Sequence, residues 1–133
     1  MSTKIDLYVI RHGQTDANVK GINGGPQVPL NKTGIDQAER LFKSKLLPQT
    51  PDIIYCSPHT RTVQTAKLAT NRDDIKCEEL LVERDFGKWE GAKWDEIFQR
   101  TKGTVLGVKK KIKNFSKKIE VFFKKLQNFS KKN

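Results

Sequence analysis

Hydrophobic and polar positions change period several times along the chain, and each change predicts an element. Residues 5–10 read Ile-Asp-Leu-Tyr-Val-Ile, a nearly continuous apolar run rich in β-branched and aromatic side chains, the pattern of a buried strand. From Thr15 to Pro29 the chain is crowded with Gly21, Asn23, Gly24, Gly25, Pro26 and Pro29, too many breakers for a regular element. Ala38, Leu41, Phe42 and Leu46 then fall on one helical face. The spacing predicts a helix with Thr33 as N-cap and Asp36 as its short capping-box partner, stopping before Pro48. Residues 51–56 read as a second strand. Ser57 should then cap a helix carrying Val63, Ala66 and Leu68, with Pro58 at its first position. Residues 75–81 give a third, short strand. This alternation predicts an α/β fold: a mostly parallel central sheet with helices on both faces, three layers in all.

Beyond residue 100 the period changes again. Val105, Val108, Ile112, Phe115, Ile119, Phe122, Leu126 and Phe129 recur at steps of three and four, with lysines on the other face, as in a long amphipathic helix. Residues 1–100 are therefore expected to form the α/β body, and residues 101–133 a lysine-rich helix and tail of the same domain. This division changes the meaning of the charge. The net charge is +11, yet residues 101–133 alone hold eleven lysines against one glutamate. Basicity thus belongs to the tail, where a solvated lysine face over a core-facing stripe is the expected arrangement. Contact with an anionic membrane surface is the less favoured alternative. Nucleic acid is not expected as a partner, because the aromatics lie on the apolar stripe and do not interleave with the lysines. Cys56 and Cys77 form no C-x-x-C pair and read as reduced residues of a cytoplasmic protein, without a metal. No apolar run approaches a membrane span, and the N-terminus lacks the apolar core of a signal peptide.

Candidate chemistry begins where the first apolar run empties into Arg11-His12-Gly13. In α/β proteins ligands gather at the carboxyl ends of strands. A guanidinium fits a phosphate, an imidazole serves as nucleophile or proton carrier, and glycine lets backbone approach a ligand. Arg61 is expected in the first turn of the helix after the second strand, where the helix N-terminus also favours anions. The segment from Glu83 to Gly91 is an acidic, aromatic, glycine-punctuated loop.

Three segments together, Arg11-His12-Gly13 with Asn18, Ser57 to Ala66 as S-P-x-x-R-x-x-x-T-A, and Glu83 to Gly91 as E-x-x-x-G-x-W-E-G, resemble the histidine phosphatase superfamily. The third segment is closer to the phosphatase branch than to the mutases. The resemblance implies hydrolysis of a small phosphomonoester with no cofactor and no metal. His12 would carry the phosphoryl group as phosphohistidine, with the neighbouring cations keeping its imidazole neutral. Arg11 and Arg61 would clamp the phosphoryl oxygens. Glu83 would act as acid and then base, and Gly13 and Asn18 would join these residues in binding substrate. The alternatives are phosphoryl transfer of the mutase type and a catalytically silent phosphate-binding module. The family also carries a second histidine at a V-S-H-G strand end, whereas this chain has only His12 and His59. His59 is expected to be a solvent-facing loop residue. The chain is accordingly read as lacking the last strand and helix of the family fold.

Overall fold

The structure is a computed structural model and describes residues 4–82, 87–100, 120–122 and 124–126. In chain order the elements are helix α1 (Asp16–Lys20), helix α2 (Lys32–Ser44), strand β1 (Tyr55–Cys56), helix α3 (Thr60–Thr70), strand β2 (Lys76–Cys77) and helix α4 (Trp94–Arg100). Short 3₁₀ turns occupy Glu79–Leu81 and Gly87–Trp89. The fold is α/β, as expected. β1 and β2 pair in parallel, Tyr55 opposite Lys76 and Cys56 opposite Cys77, with α3 as the crossover between them. α3 packs on α2 and on β1.

Local chemistry relocates several expected boundaries. The breaker-rich stretch contains α1, because Thr15 and Asn18 form a reciprocal capping box and Gly21 closes the helix at φ 64°. The N-cap of α2 is Asn31 instead of Thr33. Its Oδ1 accepts the Gly34 amide at 2.9 Å, while its Nδ2 donates to Gln14 Oε1 at 3.1 Å and Asp16 Oδ1 at 3.3 Å. That helix ends at Ser44, with Lys45 in the left-handed region at φ 56°. α3 starts after His59, not at Ser57 and Pro58. The Ser57 hydroxyl instead bonds Thr62 Oγ1 at 2.7 Å, and Thr62 Oγ1 lies 2.7 Å from both the Ser57 and His59 carbonyl oxygens. The third strand is shorter than expected, since Glu78 caps a 3₁₀ turn with its own carboxylate.

The first predicted strand differs most. Among the described residues, residues 5–10 join no ladder and their backbone groups make no hydrogen bond. Their side chains are exposed, Val9 to 83%. A cavity of about 1030 Å³ is lined by residues 4–10 and by residues 51–57, with Phe122 and Leu126 among its other walls. The apolar run is real, but among the described residues it faces this cavity instead of a paired strand.

Of the predicted C-terminal helix, residues 120–122 and 124–126 are helical and the remainder lies outside the described residues. Here the amphipathic pattern holds. Phe122 is buried and meets the Tyr55 ring edge-on at 5.4 Å, Leu126 is half-buried, and Lys124 and Lys125 are exposed. Lys125 pairs with the buried carboxylate of Glu78.

One contact positions the turn after residue 10. A Cβ on Gly34 would lie 2.1 Å from the Gln14 carbonyl oxygen, and one on Gly13 would lie 2.5 Å from the Gly34 carbonyl oxygen. The turn and the first coil of α2 are thus in direct backbone contact, reinforced by Asn31 N–H to the Gln14 carbonyl at 3.0 Å and Gln14 N–H to Gln37 Oε1 at 2.9 Å.

Alanine for glycine inside a helix ordinarily stabilises by about 1 kcal/mol. Gly34→Ala should do the reverse and cost about 1–3 kcal/mol through overpacking, read as a lower urea midpoint. A stability gain would show that the contact is not a constraint. At Glu78, the Lys125 ammonium and then the Leu80 amide hold the carboxyl below the usual carboxylate range. The pair therefore stabilises the fold above the ordinary carboxylate pKa, and that contribution disappears as pH falls through the lower folded-state value. Glu78→Gln should lower the melting temperature near neutral pH, with the gap from wild type closing in acid; a pH-independent gap would contradict the pairing.

Candidate active site

The turn at Arg11, His12 and Gly13 passes from exposed through half-buried to buried within three residues. The Gly13 amide donates to Thr65 Oγ1 at 3.0 Å, and the Thr65 hydroxyl donates to the Arg61 carbonyl at 2.7 Å. A hydroxyl has one proton to give, so this arrangement uses it on Arg61 and a lone pair on Gly13. Two residues singled out in the sequence, Gly13 and Arg61, are thereby tied to one buried threonine on α3. Gly13 has a tighter reason to be glycine than approach to a ligand: the Gly34 backbone already occupies the space a side chain would need.

His12 Nδ1 lies 2.6 Å from the carbonyl oxygen of Gly13. A carbonyl only accepts, so Nδ1 carries the proton in this bond. In the neutral ring Nε2 then holds the lone pair. The geometry thus assigns the tautomer and leaves the ring's lone pair on Nε2.

Arg61 is the second residue of α3 and is only 6% exposed. Its Nη1 donates to the Gly25 carbonyl at 3.0 Å, which moors the guanidinium to the glycine-rich loop. That loop is itself held from two sides. The Thr60 amide donates to the Pro26 carbonyl at 3.0 Å. Buried Asn23 accepts from Gly91 N–H at 2.7 Å and donates through its own N–H to Ala92 at 2.9 Å. The α3 N-terminus therefore offers fewer open amides than expected, because Thr60 N–H is spent on Pro26 and Thr62 N–H on His59.

Arg11 is exposed beside His12. Asn18 stands in α1 with Oδ1 accepting from Thr15 N–H at 2.9 Å and Thr15 Oγ1 at 3.0 Å, so it builds the helix cap that follows the turn. Its Nδ2 has no protein partner among the described residues. Glu83, the expected acid, lies outside the described residues, and the chain resumes at the Gly87–Trp89 turn. His59 is half-buried at the α3 N-cap, where a solvent-facing loop residue was expected. Trp89 lies under the cations of Lys88 and Arg100, at 5.3 and 5.9 Å from its ring centroid. Among the described residues, no group of three His, Cys, Asp or Glu side chains is arranged to hold a metal.

Sequence reasoning gave no role to Thr65, Gly25, Asn23 or Gly34. Thr65 sat in plain view in the S-P-x-x-R-x-x-x-T-A segment, four residues after Arg61, the spacing at which a threonine hydroxyl reaches back to a helix carbonyl. The other three act through contacts between distant segments, for which a single sequence holds no local signal.

A family model described as histidine phosphatase superfamily (branch 1) matches residues 7–117. The chain is 40% identical over 88 residues to the adenosylcobalamin/alpha-ribazole phosphatase of Salmonella typhimurium, covering 63% of this chain and 43% of that protein. It is 35% identical over 123 residues to an agropine synthesis reductase of Rhizobium rhizogenes, covering 76% of this chain and 27% of that one. The crystal structure of the alpha-ribazole phosphatase from Shigella flexneri superposes with a TM-score of 0.72 at 28% identity, over 90% of this chain and 66% of the other. The chain thus spans less than half the length of these two sequence relatives. The family match begins before the Arg11 turn and runs on past Arg61 and the Trp89 loop. The chain belongs to the histidine phosphatase superfamily.

Proposed function

We propose that the protein hydrolyses a small phosphomonoester through a phosphohistidine on His12. The observation that carries this reading is the bond from His12 Nδ1–H to the Gly13 carbonyl at 2.6 Å, which leaves Nε2 with a lone pair. Nε2 attacks phosphorus in line with the ester oxygen; the P–N bond forms as the P–O bond breaks. Arg11 and Arg61 stabilise the charge on the non-bridging oxygens. Glu83 gives the departing alkoxide its proton, then takes one from the water that cleaves the P–N bond and returns phosphate. The Asn18 amide has donors left for a phosphoryl oxygen. Membership of the family and the phosphatase name of the Salmonella relative support the reaction class. The two free thiols favour a cytoplasmic location.

A second reading is phosphate binding without turnover. It is favoured by residues 5–10, which deliver His12 without a ladder on either side among the described residues.

With p-nitrophenyl phosphate as substrate, His12→Ala should lower kcat/KM by about a thousandfold or more, as loss of a nucleophile does. Arg61→Lys, which keeps the charge and loses the fork, should cost about a hundredfold. A phosphorus-labelled substrate should leave acid-labile, base-stable label on the wild-type chain and none on His12→Ala. Equal hydrolysis by the His12 variant would overturn the mechanism. Vanadate binding that needs His12, with neither label nor turnover, would select the second reading.

A further inference from the structure

Cys56 and Cys77 stand in register as the last residues of β1 and β2. Paired residues on adjacent strands put their side chains on the same face, and strands lie about 4.7–4.9 Å apart. Disulfides span Cα separations of about 4.4–6.8 Å, so the ladder already brings these two residues within bridging range. Both are free thiols, one directly across the ladder from the other. One is buried and the other exposed. An exposed thiol paired in register with a buried one is the arrangement of an entry sulfur and a resolving sulfur.

We propose that Cys56 and Cys77 form a reversible thiol pair, oxidised to an intramolecular disulfide by low-molecular-weight disulfides of the glutathione class. The exposed Cys77 reacts first. Its thiolate attacks one sulfur of the oxidant, the oxidant's S–S bond breaks, and one glutathione thiolate departs. Cys56 then loses its proton to solvent and attacks Cys77 Sγ. The Cys56–Cys77 bond forms, and the second glutathione thiolate leaves. Two protein thiols are oxidised, one disulfide is reduced to two thiols, and the protons released by the cysteines balance those taken up by glutathione.

The order of events follows from burial. Desolvation first, and then the neighbouring Cys77, push the Cys56 thiol up to about 12. Cys56 is therefore a weak first nucleophile, and the part of that elevation due to Cys77 ends once Cys77 is capped. The mixed disulfide at Cys77 forms ahead of the internal bridge, which closes with little travel because the partners are already in register.

The full native chain treated with glutathione disulfide and alkylated should show, by non-reducing peptide mapping, a Cys56 peptide joined to a Cys77 peptide. The mass falls by two hydrogens, and dithiothreitol reverses the change. Cys56→Ser should stop at glutathione on Cys77, and Cys77→Ser should leave Cys56 unmodified under the same treatment. A wild-type chain that stops at the Cys77 mixed disulfide, like Cys56→Ser, would overturn the proposal. So would a Cys77–Cys77 dimer as the product, or an internal bridge that forms only after unfolding in urea.

Discussion

The contact on which the site depends is backbone against backbone: the turn at Gly13 and Gln14 pressed onto the first coil of α2 at Gly34. Neither side can carry a Cβ without displacing the other. Because the partners are main chain, no rotamer change can relieve a clash, which makes the spacing a property of the path of the chain. Hydrogen bonds from Asn31 to Gln14 and Asp16, and from Gln14 to Gln37, close across the same seam, and Gly13 adds a bond to Thr65 on α3. Since α2 packs on α3, the seam fixes His12 in relation to the helix that bears Arg61.

From there the site grows outward by relays. Thr65 passes the position of Gly13 to the Arg61 carbonyl, and Arg61 passes its own to the Gly25 carbonyl. The glycine-rich loop passes it on to the turn at residues 89–92 through Asn23. Buried polar groups so arranged are satisfied pair by pair, and they hold a guanidinium that could not otherwise stay out of water. The small residues of the loop allow this close approach, and it is the loop's carbonyls, more than its side chains, that the cation needs.

The order of the elements was more legible than their geometry. Arg61 was expected in the first turn of a helix and stands there, whereas Arg11 and His12 follow an apolar run that was expected to be a strand and is not one. The α2 and α3 helices were legible from their apolar faces. Their first residues were not, since Asn31 and Thr33, or Ser57 and His59, compete for the cap and only the neighbouring chain decides between them. α1 was hidden by its own breakers: Thr15 and Asn18 look like loop residues until they are seen bonding to each other. α4 offers a weak signal, seven residues with an apolar pair at Ile97 and Phe98. Residues 5–10 illustrate a further limit. An apolar run reports what a segment would bury if it had a neighbour, and pairing depends on a second strand that the run does not specify.

The cavity beside residues 4–10 has a mechanical meaning for the imidazole that follows them. Among the described residues, the hydrogen bonds that hold the His12 turn lie downstream of it. Downstream, the turn is clamped to α2 and α3; upstream, the chain reaches it across a stretch with no ladder among the described residues. Under the proposed reaction, a nucleophile moored in this way works like a cantilever, its position set by the root at the clamped turn. In-line attack on phosphorus gains much of its rate from having surrendered orientational freedom beforehand, as effective molarity. Under the proposed reaction, the aim of His12 is therefore set from the clamped side of the turn, at Gly13, Gln14 and Gly34.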